Sequence, residues 1–334
     1  MSVIDPLLQA LRRRGAEPVL MEAGAGRALV CPELGGRVLA VESGEEQFLW
    51  FHPDLIQAGR APDWNAGGQR TWLAPERAAD SPYLASGSWQ CPPDLDPGRY
   101  RRVSAPGENG LVLENRFELG APGRRLRMVM ERCIRLESAP AHLTMTVRQS
   151  VRYEGQAAPP PAFGAWALLQ VPCPGQAVVR LEGAPAGRIY RDDFFQPLPP
   201  EWVRPGERCL VFRLNGAFQY KIGLPAERLP AKARVDYFCP AKRPGLLRHV
   251  CLTFEIPAGG LYLDGSEAVP SRAGDAIQLY NHFSGGAAAY AELEPHAPAC
   301  LRPGELSETT VTHTFRTVAP EELPEGGQGE WVNG

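Results

Sequence analysis

Two stretches of this 334-residue chain concentrate side chains able to do chemistry. The first is "WNAGGQRTWLAPE", Trp64 to Glu76. Read as extended, its "QRTWLA" core sends Arg70 and Trp72 to one face and Gln69, Thr71 and Leu73 to the other. A guanidinium beside an indole, approached over the bare backbone of Gly67 and Gly68, suits a ligand with an apolar face and a rim of hydroxyls, and a pyranose has both. The plainer alternative makes Trp72 a core residue with Arg70 stacked on it, a cation–π contact worth about 0.5 to 1 kcal/mol when exposed.

The second stretch is "IQLYNHFSGGAAAYAELEP" (277–295), which reads as a hairpin joined through Ser284, Gly285 and Gly286. Gln278, Tyr280 and His282 share one face of its first strand, and Tyr290, Glu292 and Glu294 share one face of its second. Loop parity decides whether the two faces coincide. If they do, a carboxylate and an imidazole stand together on an aromatic floor. Such a pair can move protons at a sugar's anomeric centre: the carboxylate takes the proton of the anomeric hydroxyl and the acid protonates the ring oxygen. Glu292 and Glu294 are equal candidates for the base, and His282 is a candidate acid. Two glutamates at i and i+2 also describe the wet face of an ordinary amphipathic strand.

The elements that must carry these residues are strands. After a short helix predicted over residues 6–14, with Pro6 in its first turn and Gly15 as its stop, helix signals nearly vanish. The remainder of the chain is a series of short alternating segments cut by the 34 prolines and 35 glycines. In "RRLRMVMERCIRLE", Leu126, Met128, Met130, Ile134 and Leu136 share one parity and Arg125, Arg127, Glu131, Arg135 and Glu137 the other, the period of a strand wet on one side. About fifteen such segments predict an all-β protein, a large antiparallel β-sandwich or barrel. The organisation expected is an N-terminal helix (1–15), a single domain over 16–318 and a mobile acidic, glycine-rich tail (319–334), with "GQAAPPPAFG" (155–164) as a long internal loop.

The charges nearly balance, 35 Lys and Arg against 38 Asp and Glu, so no overall field favours nucleic acid. The arginine clusters at 12–14, 99–102 and 124–125 read as solvated surface. No apolar run approaches the roughly 18 to 20 residues of a membrane span, and the N-terminus lacks the order of a secretory signal, so a cytoplasmic protein with reduced thiols is expected. The eight cysteines form no CxxC pair, and no His-x-His pair is present, so neither a zinc finger nor a cupin-type metal site is expected. A P-loop, a dinucleotide fingerprint and a "GxSxG" elbow are likewise missing from the sequence. His52, His142, His296 and His313 read as surface or turn positions.

The order "GGRVLAVESGEEQFLWF", "GGQRTWLAPE", "AWALLQVP", "AYAELEPHAPACLRPGE" resembles the galactose mutarotase-like superfamily, over about residues 16 to 316. The resemblance implies a β-supersandwich with a sugar groove on the concave face of one sheet, acting without metal or organic cofactor on a small-molecule carbohydrate. It makes Arg70 the counterpart of a sugar-holding arginine, and it adds Trp166 and Tyr280 to Arg70 and Trp72 as sugar contacts. The late-strand base falls on Glu292 or Glu294. One departure stands out: mutarotases carry an acid histidine in a central strand, and "PAFGAWALLQVP", which corresponds to it, has none. The acid then falls to His282, His249, a tyrosine or no residue. Three functions are open: an aldose 1-epimerase-like isomerase, a non-catalytic sugar binder or sensor on the same fold, or a glycoside hydrolase pairing Glu292 or Glu294 with Asp236, Glu255 or Asp264. Sugar identity, phosphorylation and oligomeric state are left open.

Overall fold

The computed structural model describes residues 2–57, 64–76, 81–104, 110–121, 124–155, 162–185, 189–192, 194–264, 269–283 and 288–324. Its strands begin with β1 (Val19–Ala23), β2 (Gly26–Cys31), β3 (Arg37–Ser43), β4 (Glu46–Gln47), β5 (Gln69–Ala74) and β6 (Arg101–Arg102). Next come the long ribbon of β7 (Leu111–Ala121), β8 (Arg124–Ala139) and β9 (His142–Tyr153), then β10 (Gly164–Pro172), β11 (Gly175–Arg180), β12 (Val203–Pro205) and β13 (Cys209–Leu214). The last are β14 (Tyr220–Pro225), β15 (Lys232–Pro240), β16 (Leu247–Glu255), β17 (Asp275–His282), β18 (Tyr290–Pro295) and β19 (Leu306–Val318).

They form two antiparallel sheets. The first runs β1-β2-β3-β5-β10-β18-β17-β14, with β4 beside β3, and the second runs β12-β13-β11-β15-β16-β19-β9-β8-β7-β6. The all-β sandwich expected from the alternation is the architecture found. Leu169, Leu279 and Leu293 of the first sheet meet Met130, Ile134, Val147 and Phe315 of the second in one continuous core. Alternation thus has its usual cause: every second side chain leaves water for the space between the sheets.

One inward position on β8 is polar. Arg132 is fully buried and donates to Gln69 Oε1 and to the Gly36 carbonyl. Beside it the Thr71 hydroxyl donates to Gln149 Oε1 at 2.6 Å. This small polar seam ties the inner faces of β5, β8 and β9 together, and burial pulls the Arg132 guanidinium down to about 10.

A helix, α1 (Ile4–Arg12), packs Ile4, Leu7 and Leu11 onto Leu29, Leu39 and Ala40. It begins two residues before the predicted start, because Glu42 of β3 accepts from the backbone N–H groups of Val3 at 2.6 Å and Ile4 at 3.2 Å. A one-turn helix, α2 (Asp54–Gln57), stands where no helix was expected. At the other end, order continues past residue 318: Pro320–Glu322 form a turn and Leu323 is buried beside Leu247 and Val318. That apolar anchor corrects the expected tail over its first residues; 325–334 lie outside the described residues, as do 156–161 of the expected 155–164 loop.

Candidate functional site

The first sheet turns one face to the core and the other to a cleft. Register decides which side chains meet there. Trp72 on β5 pairs with Trp166 on β10, and Arg70 pairs with Leu168. Across the hairpin Gln278 pairs with Glu294, Tyr280 with Glu292 and His282 with Tyr290. Directly opposed residues project to the same side, so the two hairpin faces coincide. Lys221 on β14 pairs with Tyr280 and extends the same row.

Arg70 sits at the centre. Its Nη2 donates to Glu292 Oε1 at 3.0 Å, its Nε lies 3.3 Å from Asp96 Oδ2, and its guanidinium lies 4.6 Å from the Trp72 ring centroid and 5.7 Å from that of Trp64. Burial opposes its charge, but Glu292 and Asp96 more than offset that and raise its pKa. Asp96 also accepts from Trp72 Nε1 at 2.8 Å and from Arg37, so one carboxylate from a loop fixes two arginines and an indole. Both Arg70 and Trp72 are therefore buried, with Trp72 lining the cleft and Arg70 behind Glu292.

Gly67 and Gly68 have a different role from the expected bare approach to a ligand. Both have positive φ, 94° and 75°. A Cβ on Gly68 would stand 2.2 Å from the Val38 carbonyl oxygen, and one on Gly67 would stand 2.3 Å from Phe51 Cα. They let β5 cross its neighbours' backbone.

The two candidate bases differ. Glu292 lines the cleft and is 5% exposed, whereas Glu294 is 0% exposed beneath it. Glu294 Oε2 accepts from Trp166 Nε1 at 3.0 Å and lies 3.0 Å from Lys221 Nζ. Burial pushes its carboxyl up, to about 8, with Lys221 opposing the rise. Lys221 also reaches Glu76 Oε2 at 3.4 Å and lies 4.3 Å from the Trp166 centroid. Burial works against its ammonium, but Glu294 and Glu76 outweigh that and hold it charged.

His282 lines the cleft with its Nδ1 2.9 Å from the Tyr280 hydroxyl, which accepts from Gln219 Nε2 at 2.7 Å. Desolvation lowers the imidazole's pKa, and Glu292 partly restores it.

The cleft has a volume of about 470 Å³. Trp64, Trp72, Trp89 and Trp166 give it aromatic walls, and Glu76, Gln219, Lys221 and Glu292 add polar groups. All seven candidates, Arg70, Trp72, Trp166, Tyr280, His282, Glu292 and Glu294, gather on this one face, with Arg70 and Glu294 buried beneath the five that line the cleft. Asp96, Lys221, Glu76, Trp64 and Trp89 join them without having been expected from sequence. A lysine set in the apolar strand "FQYKIGL" was a usable signal for Lys221; Asp96 lies in an ordinary turn sequence and carried none.

His249 and Asp236 lie elsewhere, on the second sheet. His249 Nε2 is 2.7 Å from Asp236 Oδ1, its Nδ1 accepts from Arg316 Nε at 3.0 Å, and Arg234 holds Asp236 through two bonds of 2.7 Å. Cys251 completes a close trio with them. Two guanidinium groups and a thiol pushed up to about 12 by burial make it a satisfied polar cluster, a poor cation site. His249 is thus removed as the acid and Asp236 as a hydrolytic partner. His296 and His313 are buried, contrary to the surface positions expected; His296 stacks on Trp166 with ring centroids 5.4 Å apart.

No protein-family model and no curated protein matches the chain. Solved structures do. A candidate aldose 1-epimerase from Escherichia coli K12 superposes with a TM-score of 0.52 at 16% identity, over 91% of this chain and 100% of that one. A galactose mutarotase related enzyme from Lactobacillus acidophilus gives 0.52 at 9% identity, over 90% and 97%. This chain has the galactose mutarotase-like fold. A Synechocystis sp. PCC 6803 protein shares that fold as well, at a TM-score of 0.53 and 13% identity, over 91% of this chain and 96% of that one. In the mutarotase-like sandwich of this chain, the cleft lies on the face of the first sheet turned away from the second. No helix among the described residues is long and apolar enough to cross a membrane.

Proposed function

We propose that the cleft binds a reducing sugar and interconverts its anomers. One observation carries the reading: Glu292, a carboxylate oriented by Arg70, opens into an aromatic-walled cleft that His282 also lines. Glu292 takes the proton of the anomeric hydroxyl as the bond from C1 to the ring oxygen breaks, and His282 delivers a proton to that oxygen. Rotation about the bond from C1 to C2 and reversal of the two transfers close the ring on its other face. Arg70 keeps Glu292 aimed into the cleft through its 3.0 Å bond, and the tryptophans receive the apolar face of the ring.

The charges favour an uncharged sugar over a sugar phosphate. Arg70 faces Glu292 and Asp96, and Lys221 faces Glu294 and Glu76, so these two cations, among the described residues, already stand against two carboxyl groups each. A phosphate would have to displace one of these pairs.

The lowered pKa of His282 favours a second reading, a sugar binder without turnover, because a neutral imidazole is a weak acid. Freshly dissolved pure α-anomers of glucose and galactose, followed by proton NMR, separate the two. The isomerase accelerates equilibration and Glu292→Gln abolishes the acceleration; binding of either sugar without acceleration would establish the binder instead.

A further inference from the structure

Two oxygens exchange protons when a sugar ring opens, and both are bonded to C1, so the base and the acid that serve them must be near neighbours. Register places Tyr280, not His282, directly opposite Glu292. Opposed side chains start about 5 Å apart and diagonal ones about 7 Å, which sets His282, opposite Tyr290, one rung further from the base.

Tyr280 and His282 both line the cleft, and the hydroxyl of the first lies 2.9 Å from Nδ1 of the second. A stack of rings fixes the imidazole plane: Tyr290, fully buried, lies 4.5 Å from His282 between ring centroids, and Trp50 lies 4.5 Å from Tyr290. Gln219 Nε2 donates to the same hydroxyl at 2.7 Å. When the imidazole is protonated, its Nδ1–H and the Gln219 amide both donate to the Tyr280 oxygen, which leaves the hydroxyl's own proton free to turn to a third partner in the cleft. Burial, and after it the charge of Glu292, keeps that hydroxyl protonated. The other charged groups around it are Lys221, opposite it on β14, and Glu294 and Glu76, which hold Lys221.

Resting on the anomer-interconverting function proposed for this cleft, we infer that Tyr280 is a catalytic residue whose hydroxyl hands the proton of His282 to the sugar's ring oxygen. In ring opening the Tyr280 O–H bond breaks as its proton goes to the ring oxygen, and the Nδ1–H of the imidazolium replaces it. The bond from C1 to the ring oxygen breaks, Glu292 takes the proton of the anomeric hydroxyl, and the electron pair of that O–H bond forms the C1 carbonyl. His282 ends neutral and Glu292 protonated. Ring closure reverses each transfer and restores both, with no other reactant. A phenol alone is a weak acid near neutral pH; the imidazolium behind it supplies the driving force.

Proton NMR of pure α-anomers of glucose and galactose gives kcat and KM for the unaltered protein, Tyr280→Phe, His282→Asn and the double variant. Each single substitution is expected to lower kcat by about 10² to 10³ with KM and melting temperature close to those of the unaltered protein. The double variant is expected within about twofold of the slower single, because members of a relay act as one unit. In Tyr280→Phe the His282 ring still titrates by NMR, while the fall of kcat/KM with rising pH that follows it disappears, which lost packing would not produce. Gln219→Leu, at an exposed position, removes only a donor to the hydroxyl and is expected to lower kcat about fivefold. A kcat within about twofold of the unaltered value in Tyr280→Phe or Gln219→Leu, or losses that multiply in the double variant, would overturn the relay and leave the anomer reading intact. No acceleration by the unaltered protein would overturn that reading itself.

Discussion

Two glutamates two residues apart on β18 have opposite surroundings. Glu292 meets the cleft, so replacing it with Gln should cost about 10² to 10⁴ in catalysed rate, and because it leaves the buried Arg70 with Asp96 as its remaining carboxylate it should lower stability as well. Glu294 is enclosed with Lys221 and Trp166, so Glu294→Gln leaves a buried ammonium with Glu76 as its remaining carboxylate. A loss of about 2 to 4 kcal/mol in unfolding free energy is expected from denaturant titration, with ring opening still accelerated by the folded fraction. His282 gives a second test at this scale. Burial lowers its pKa, so if its imidazolium is the acid, kcat/KM falls as pH rises through a value below about 6.5, and His282→Asn removes that limb. A profile flat between about pH 5 and 7 in the unaltered protein would take the acid role away from His282.

At the level of elements, β5 is the part on which the site most depends. It brings Trp72 to the cleft and Arg70 to Glu292 only because Gly67 and Gly68 let the chain cross within van der Waals reach of Phe51 and Val38. Gly68→Ala puts a methyl group on backbone atoms, which cannot step aside as a side chain end can, at a φ of 75°. It is expected to destabilise the protein by about 2 kcal/mol or more and to weaken sugar binding in the fraction that folds, since Arg70 is two residues away. Unchanged melting and affinity would mean that β5 tolerates a shift the geometry forbids. From sequence, paired glycines say that something approaches closely; that it is a neighbouring strand emerges only from the pairing of β3 with β5.

Over the whole molecule, buried titratable groups give stability its pH dependence. His313, on the second sheet, is buried beside the Met145 carbonyl, and burial lowers its pKa to about 4. The unfolded chain therefore takes up a proton below about pH 6.5 that the folded protein refuses until about pH 4, so this stabilisation is complete above the first value and lost on acidification between the two. His313→Gln should flatten the fall in melting temperature across that window. Asp275, on the first sheet, runs the other way: burial raises its carboxyl to about 7, so its contribution is present at low pH and lost as pH rises through that value. Identical pH profiles for the unaltered protein and His313→Gln would contradict the assignment.

Much of this protein was legible in its residues alone. Period-2 alternation is a property of the extended backbone, so the strands, the two-sheet architecture and the common face of Arg70 and Trp72 could be read locally, as could the sharing of faces within each arm of the hairpin. The depth of each residue could not. Glu292 and Glu294 have the same parity, and only Trp166 and Lys221, arriving from other strands, bury one and leave the other at the cleft. His249 and His282 looked alike in amphipathic strands until sheet order sent one to the second sheet. Asp96, Trp64 and Trp89 come from loops, whose paths depend on packing between segments far apart in the chain and leave no periodic trace in sequence. Tertiary structure thus decided which of the legible side chains face one another, because strand register and loop path are set by long-range burial, which no local pattern encodes.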